Sequence, residues 1–206
     1  AYVAQYGRER IVTFNKSEIA EQFDLGDNGG SRKVIVYARN ACWQIARDLG
    51  CRFFIQLDDD YTSLLYRTPG KQDGDTAPRL HGWTIKNIDV CLEALVDFLD
   101  RSGASTVAMS QGGDHMGSDD GIASHIHLMR KAMNSFVCDV DAPFDFVGRI
   151  NEDVNTYTSG TRRGELFLTH TLLQLNQLQT QSNEGGMTST YLDGGTYIKS
   201  FYSVLY

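Results

Sequence analysis

Hydrophobic and polar positions along the chain follow two periods in turn. The short β-branched and aromatic run Arg10 to Phe14 predicts a strand, as does Val34 to Tyr37 after the Gly29-Gly30 break. Between them, Ser17 to Phe23 predicts one or two helical turns with Ser17 as N-cap. Cys42, Ile45, Ala46 and Leu49 recur at helical spacing, so Ala38 to Leu49 predicts a helix that stops at Gly50. Cys51 to Leu57 is a continuous, mostly apolar run of strand length that reads as a buried strand and ends abruptly in Asp58-Asp59-Asp60. The proline-, glycine- and aspartate-bearing segment Thr68 to Pro78 predicts an exposed loop. Ile85, Ile88, Leu92, Leu95 and Leu99 then form one stripe of a helix from Thr84 to Arg101, closed by Gly103. Thr106 to Met109 and Ser135 to Val140 predict two further strands, and an apolar strand-like run from Leu166 precedes a Gln- and Asn-rich segment and a Gly-rich tail. This alternation predicts an α/β layered sheet, mainly parallel and flanked by helices, in a single domain over residues 1–206 without repeats or long linkers.

Composition narrows the functional classes. With 41% hydrophobic and 22% charged residues the chain excludes disorder, collagen and coiled coil. No apolar stretch approaches the roughly 20 residues of a membrane helix, and no basic-then-apolar start reads as a signal peptide, which predicts a cytoplasmic protein. Cys42, Cys51, Cys91 and Cys138 are widely spaced in apolar segments and predict buried free thiols rather than a metal site or a disulfide framework. A formal net charge of −7 gives no general attraction to nucleic acid, so such a partner would have to be met locally, for instance by Arg162 and Arg163.

The sharpest chemical feature is Asp58-Asp59-Asp60. In an open α/β sheet, ligands bind beyond the carboxyl ends of strands, and three adjacent anions repel one another until a divalent cation or ligand hydroxyls relieve them. A solvated acidic turn is the plain alternative. Ala38-Arg39-Asn40 joins a predicted strand to a predicted helix, where free backbone N–H groups and a guanidinium favour phosphate, although a surface arginine is the common reading of such a position. Gly148-Arg149-Ile150-Asn151-Glu152-Asp153 is a glycine-bounded turn carrying carboxylates to a helix start, suited to a general base or to simple capping. His125 and His127 lie two apart in a helical-looking stretch and so do not form a two-histidine metal site.

Asp58 to Asp60 and Asn151-Glu152-Asp153, in that order on alternating strands and helices, resemble the GT-A glycosyltransferases. A closer likeness is to the TET-associated glycosyltransferases, a phage-centred group of that superfamily whose relatives include a C-terminal domain of animal hormone-response coregulators. It is carried by Ala38-Arg39-Asn40, Phe54 to Tyr61, Ser110-Gln111-Gly112-Gly113-Asp114, Gly148 to Tyr157 and Gln179 to Met187. The resemblance implies a GT-A-like nucleotide-sugar-binding fold and transfer of a sugar from a UDP-sugar to a hydroxyl, in phages that of 5-hydroxymethylcytosine in DNA. It implies that Asp60 ligates Mn²⁺ or Mg²⁺, that Asp58 reaches the ribose or the metal, and that Asp59 supports the loop. Arg39 and Asn40 would sit near the diphosphate, Lys199 would reach phosphate, and Gly112 and Gly113 would form a flexible substrate loop. Gln179, Gln181 and Asn183 are uncharged donors suited to sugar hydroxyls, although for each of them, as for Lys199, a surface residue is the common reading. Asp153 would be the base of an inverting displacement with Glu152 second, a retaining course staying open.

Two departures from the family pattern stand out. GT-A folds begin with a strand and loop that hold the nucleotide base, whereas Arg10 to Phe14 corresponds to the family's second strand, so the chain is expected to lack the first. Many of these enzymes use a late histidine on the metal, but His170 lies in an apolar strand-like stretch and reads as a core histidine. Three other functions fit the same residues, one of them a non-catalytic module that binds a UDP-sugar without turnover. A protein Ser/Thr O-glycosyltransferase would be indifferent to DNA, and a nucleotidyltransferase, which also hangs metal-binding aspartates from an α/β sheet, would release pyrophosphate rather than UDP.

Overall fold

The computed structural model describes residues 2–26, 34–69, 80–115, 128–177, 195 and 197–206. Its helices are α1 (Tyr2–Tyr6), α2 (Lys16–Ala20), α3 (Val36–Asp48), α4 (Ile88–Ser102), α5 (Glu152–Arg162) and α6 (Ile198–Leu205). Its strands are β1 (Phe53–Leu57), β2 (Tyr61–Pro69), β3 (Leu80–Thr84), β4 (Thr106–Ser110), β5 (Leu128–Met129), β6 (Ser135–Asp139) and β7 (Phe167–Gln177), with short 3-10 turns at Arg8–Arg10 and Gly112–His115.

The strands form one sheet in the order β1-β6-β4-β7-β2-β3, with β5 also pairing β7. Among the described pairs β4–β7 is parallel and the others are antiparallel, so the sheet is mixed and mostly antiparallel, not mainly parallel. The expectation failed because it took every helix as a crossover between parallel strands. In fact β2 and β3 form a hairpin partnership directly after the acidic turn, and hairpin neighbours run antiparallel. Neither strand was expected. In Tyr61-Thr-Ser-Leu-Leu-Tyr-Arg the polar residues fall on both faces and blur the two-residue alternation.

The sheet carries a core on each face, and neighbouring residues of one strand serve opposite cores. Ala108, Phe136, Cys138 and Phe167 pack under α3 with Val36, Tyr37, Trp43, Phe144 and Phe146. Val107, Val137 and Leu168 face the other way and pack under α4 with Leu95 and Leu99. Trp43 meets Phe54 and Phe144 edge-to-face at centroid distances of 5.0 and 5.1 Å. The α4 helix follows its apolar stripe, with the Asn87 side chain accepting from the Val90 N–H at one end and Gly103 in the left-handed region at the other.

The N-terminal expectations need correction. Residues 11–15 have no regular structure, and the run Val34 to Tyr37 is not a strand but leads into the first turn of α3. A four-residue apolar run serves a helix turn as well as a strand, and here Val34, Val36 and Tyr37 are buried by helical packing. Phe14, Ile19, Ala20, Phe23 and Leu25 add to the same core from irregular backbone and α2. The run after Cys51 does form a strand, but at the sheet edge, where Gln56 is the buried residue and Phe53, Phe54 and Ile55 are half-buried. All four cysteines are free, as expected, yet Cys138 is buried while Cys51 is exposed. No described helix is long and apolar enough to cross a membrane. Of the Thr68 to Pro78 loop, residues 70–78 lie outside the described residues, as do His125, His127, Gln179, Gln181 and Asn183.

Candidate active site

Two parts of the chain expected to carry chemistry converge on one guanidinium. The acidic turn at the end of β1 places Asp58 Oδ1 2.7 Å from Arg39 Nη2, and the start of α5 places Glu152 Oε1 3.0 Å from Arg39 Nε. Arg39 lies within α3, its backbone N–H donating to Ile35 O, so it does not mark an open helix N-terminus as the sequence suggested. Its side chain is 4% exposed and its guanidinium carbon lies 4.9 Å from the Phe136 ring centroid and 5.5 Å from that of Phe146. Gln56, the buried residue of β1, donates to Arg39 O and ties the helix to the strand that presents the aspartates.

The second carboxylate of α5, Asp153, is buried and accepts from the Val154 N–H at 2.8 Å. Burial, followed by the neighbouring Glu152 carboxylate, pushes its proton affinity well above the ordinary carboxylate range. Burial likewise raises Asp58 to about 6, because Arg39 compensates its charge only in part while Glu152 and Asp60 repel it. Asp58, Glu152 and Asp153 all act on the guanidinium of Arg39.

The turn that delivers Glu152 and Asp153 is specified by backbone geometry. Gly148 has φ +85°, and a Cβ there would fall 2.3 Å from Asn155 Nδ2. Asn155 in turn donates to Val147 O and Ile150 O, closing the turn from inside, while Asn151 at the N-cap adopts φ 61° and donates to Ser203 Oγ of α6. This glycine-bounded start of α5 is as the sequence predicted.

The remaining expected residues fall into two groups. Asp60 is half-buried beside the cluster, with both carboxylate oxygens 2.9 Å from Gln177 Nε2, whereas Asp59 is exposed. Asn40, expected near a diphosphate, is instead a clamp. Its amide donates to Phe146 O and accepts from the Phe146 N–H, both at 2.9 Å, and so pins the segment before α5 to α3. Gly112 and Gly113 are exposed in the 3-10 turn after β4, and no close approach there requires a glycine. Lys199 is half-buried on α6, which packs on α5. His170 belongs to β7, and burial lowers its proton affinity, in keeping with a core histidine. Arg162 donates to Tyr206 O, and Arg163 donates to Ser159 and Glu165, so both of these expected DNA contacts make intramolecular bonds.

Sequence reasoning missed Gln177 and Asn134, and gave Gln111 no role beyond its place in the Ser110 to Asp114 segment. Gln177 Oε1 accepts from Gln111 Nε2 at 3.2 Å and from Asn134 Nδ2 at 3.1 Å, forming an amide cluster next to Asp60. A glutamine closing an apolar strand was the available signal for Gln177; Asn134 is a long-range partner without a local one. Among the described residues no group of three His, Cys, Asp or Glu side chains is arranged to hold a metal ion by itself.

Neither the curated proteins nor the solved structures include a significant match to this chain. The model of one protein family, the TET-associated glycosyltransferases, matches residues 1–186. The convergence of the Asp58 turn with the Glu152-Asp153 helix start lies wholly inside that match, and the chain belongs to the TET-associated glycosyltransferase family.

Proposed function

We propose that this glycosyltransferase moves a sugar from a UDP-sugar to the hydroxyl of 5-hydroxymethylcytosine in DNA, with a divalent cation held by Asp60 and Asp58. The observation that carries the reading is the gathering of carboxylates where the β1 turn meets α5. Three carboxylates act on one guanidinium there, and no described ion pair reaches Asp60 beside them. That donor set is all oxygen and anionic, which suits Mn²⁺ or Mg²⁺ rather than a thiolate- or imidazole-bound metal. When bound, such an ion supplies positive charge to the leaving UDP.

The chain's own residues do the rest. Arg39 has its Nε and Nη2 committed to Glu152 and Asp58, so it serves this site by holding the donor-side and acceptor-side carboxylates in register rather than by gripping the diphosphate. Asp153 takes the proton of the acceptor hydroxyl as general base. Its raised proton affinity brings it toward the working pH, where a base is most effective, and Glu152 stands next to it as the second candidate. An inverting displacement follows from a single base on the acceptor side. The acceptor is read as a base extruded from the duplex, because a chain of net charge −7 gains little from the phosphate backbone.

The test is incubation of hydroxymethylated DNA with a panel of UDP-sugars and Mn²⁺, followed by mass analysis of the nucleosides. The expected product is a hexose-bearing hydroxymethylcytidine with release of UDP, lost on chelation and in Asp60→Ala. Release of pyrophosphate, or transfer to Ser or Thr of a protein with no effect of DNA, would overturn the assignment.

A further inference from the structure

We propose that Gln177, oriented by Asn134 and Gln111, is a positioning residue that fixes the Asp60 carboxylate for cation binding. The inference rests on the reading of Asp60 given above. Four chain segments meet at this point: the end of β4 through Gln111, the entry to β6 through Asn134, the end of β7 through Gln177 and the start of β2 through Tyr61. In the antiparallel β2–β7 pair Tyr61 stands opposite Gln177 and Ser63 opposite Asn176, so Thr62 is an extra residue and the ladder bulges beside the acidic turn. A bulge of this kind bends the strand and re-aims the side chains next to it.

The orientation of the Gln177 amide is over-determined. Its NH₂ group faces both Asp60 oxygens at 2.9 Å, and its carbonyl receives two NH₂ donors, Gln111 at 3.2 Å and Asn134 at 3.1 Å. Turned over, the amide would set its oxygen against a carboxylate and its NH₂ against two other donors. Both partners are themselves held. The Gln111 N–H donates to Asp114, which is ion-paired with Lys131. Asn134 adopts φ 61°, a left-handed conformation that few residues other than glycine and asparagine take, and its carbonyl accepts the Tyr61 hydroxyl at 2.5 Å. Asn134 therefore grips the turn twice, through Gln177 onto Asp60 and through Tyr61 directly after it.

The chemistry of the partner decides what this arrangement is for. Asp58 is met by a guanidinium, which offsets its charge. Asp60 is met by a neutral amide, which fixes the carboxylate plane without cancelling its charge or using all of its lone pairs. A carboxylate that is oriented yet still anionic is what a hard cation needs, and outer partners of this kind typically carry about 10–100-fold in metal affinity.

The experiment measures Mn²⁺ affinity of the full chain in the presence of UDP, by the spin-resonance signal of free Mn²⁺, for the natural protein, Asp60→Ala, Gln177→Leu, Asn134→Gly and the double variant Asn134→Gly/Gln177→Leu. Glycine suits the left-handed backbone at position 134, so Asn134→Gly removes the side chain without strain and reports even if Gln177→Leu fails to fold. Expected is a loss of about 10–100-fold in Gln177→Leu, a smaller loss in Asn134→Gly, and a double variant no weaker than Gln177→Leu alone. Unchanged affinity in folded Gln177→Leu or in Asn134→Gly, with Asp60→Ala still defective, would overturn the inference and leave the metal reading standing. Equal affinity in the natural protein and Asp60→Ala would overturn that reading and this inference with it.

Discussion

Replacing Arg39 by methionine removes a cation shared by Asp58, Glu152 and Asp153 while keeping an unbranched side chain against Phe136 and Phe146. Removing one partner of a buried ion pair costs about 3–5 kcal/mol, because the other is left charged and unpaired. Contact of the guanidinium with the two rings adds up to about 2 kcal/mol, which methionine packing largely returns. A net loss of about 3–5 kcal/mol follows at pH 8. With a urea slope of about 2 kcal/mol per molar for a domain of this size, the unfolding midpoint falls by about 1.5–2.5 M. The pH dependence separates charge from shape. Asp58 titrates at about 6 in the fold against a reference of 3.8, so proton binding at this group contributes stability that is fully present below 3.8 and lost as the pH rises through about 6. The full span is about 3 kcal/mol, at 1.36 kcal/mol for each unit. Without Arg39, Asp58 and Asp153 bind protons more tightly still, so the variant is less destabilised at pH 5.5 than at pH 8. Urea unfolding at the two pH values is the assay. A midpoint shift below about 0.5 M at pH 8, or the same shift at both, would refute the claim that charge compensation is what Arg39 supplies.

Two further substitutions probe how the site is held. Asn40→Ala strips both hydrogen bonds from the buried Phe146 backbone and should cost about 2–4 kcal/mol in urea unfolding, with the KM for the sugar donor unchanged in the folded fraction; a raised KM with unchanged stability would restore the diphosphate role that the sequence suggested. Gly148→Ala forces a side chain into φ +85° and against Asn155, so a loss of at least about 1–3 kcal/mol and a fall in kcat are expected from misplacement of Glu152 and Asp153; thermal unfolding and initial rates check both, and a variant indistinguishable from the natural chain would show that the turn is not specified by the glycine.

What could be read from the sequence was what is encoded locally. The stripe Leu92, Leu95 and Leu99 gave α4 because those residues repeat at the helical period and bury one face. Thr106 to Met109 and Ser135 to Val140 gave β4 and β6 because central strands are apolar on both faces, each face lying on its own core. The carboxylates at a strand end and at a helix start were visible for the same reason. Pairing was not visible. Whether a strand joins its neighbour by a hairpin or by a crossover is decided by partners far along the chain, and β2 hides its alternation by turning Arg67 inward to Gln174, 107 residues away. Arg39 shows the same limit at the site. Its type and position suggested phosphate, but what occupies it is Glu152, 113 residues away, and only the packed structure brings that carboxylate to it.

The charge arrangement also bears on how DNA would be held. Of the described basic side chains, Arg39, Arg52, Arg67, Arg101, Lys131, Arg162 and Arg163 bond within the chain, Arg8, Arg10, Arg47, Lys86 and Arg130 are exposed without a described ion pair, and the formal net charge is −7. Each phosphate neutralised by a protein cation contributes about −0.9 to the slope of log K against log salt, so a protein that neutralises one or two phosphates gives a slope no steeper than about −2. On the proposed function, affinity would then come mainly from the modified base and from a cation offsetting the acidic cluster. Binding of a short hydroxymethylated duplex between 50 and 200 mM salt, against the same duplex with unmodified cytosine, measures both terms. A slope steeper than about −4, or equal affinity for the two duplexes, would show that recognition runs through the phosphate backbone instead.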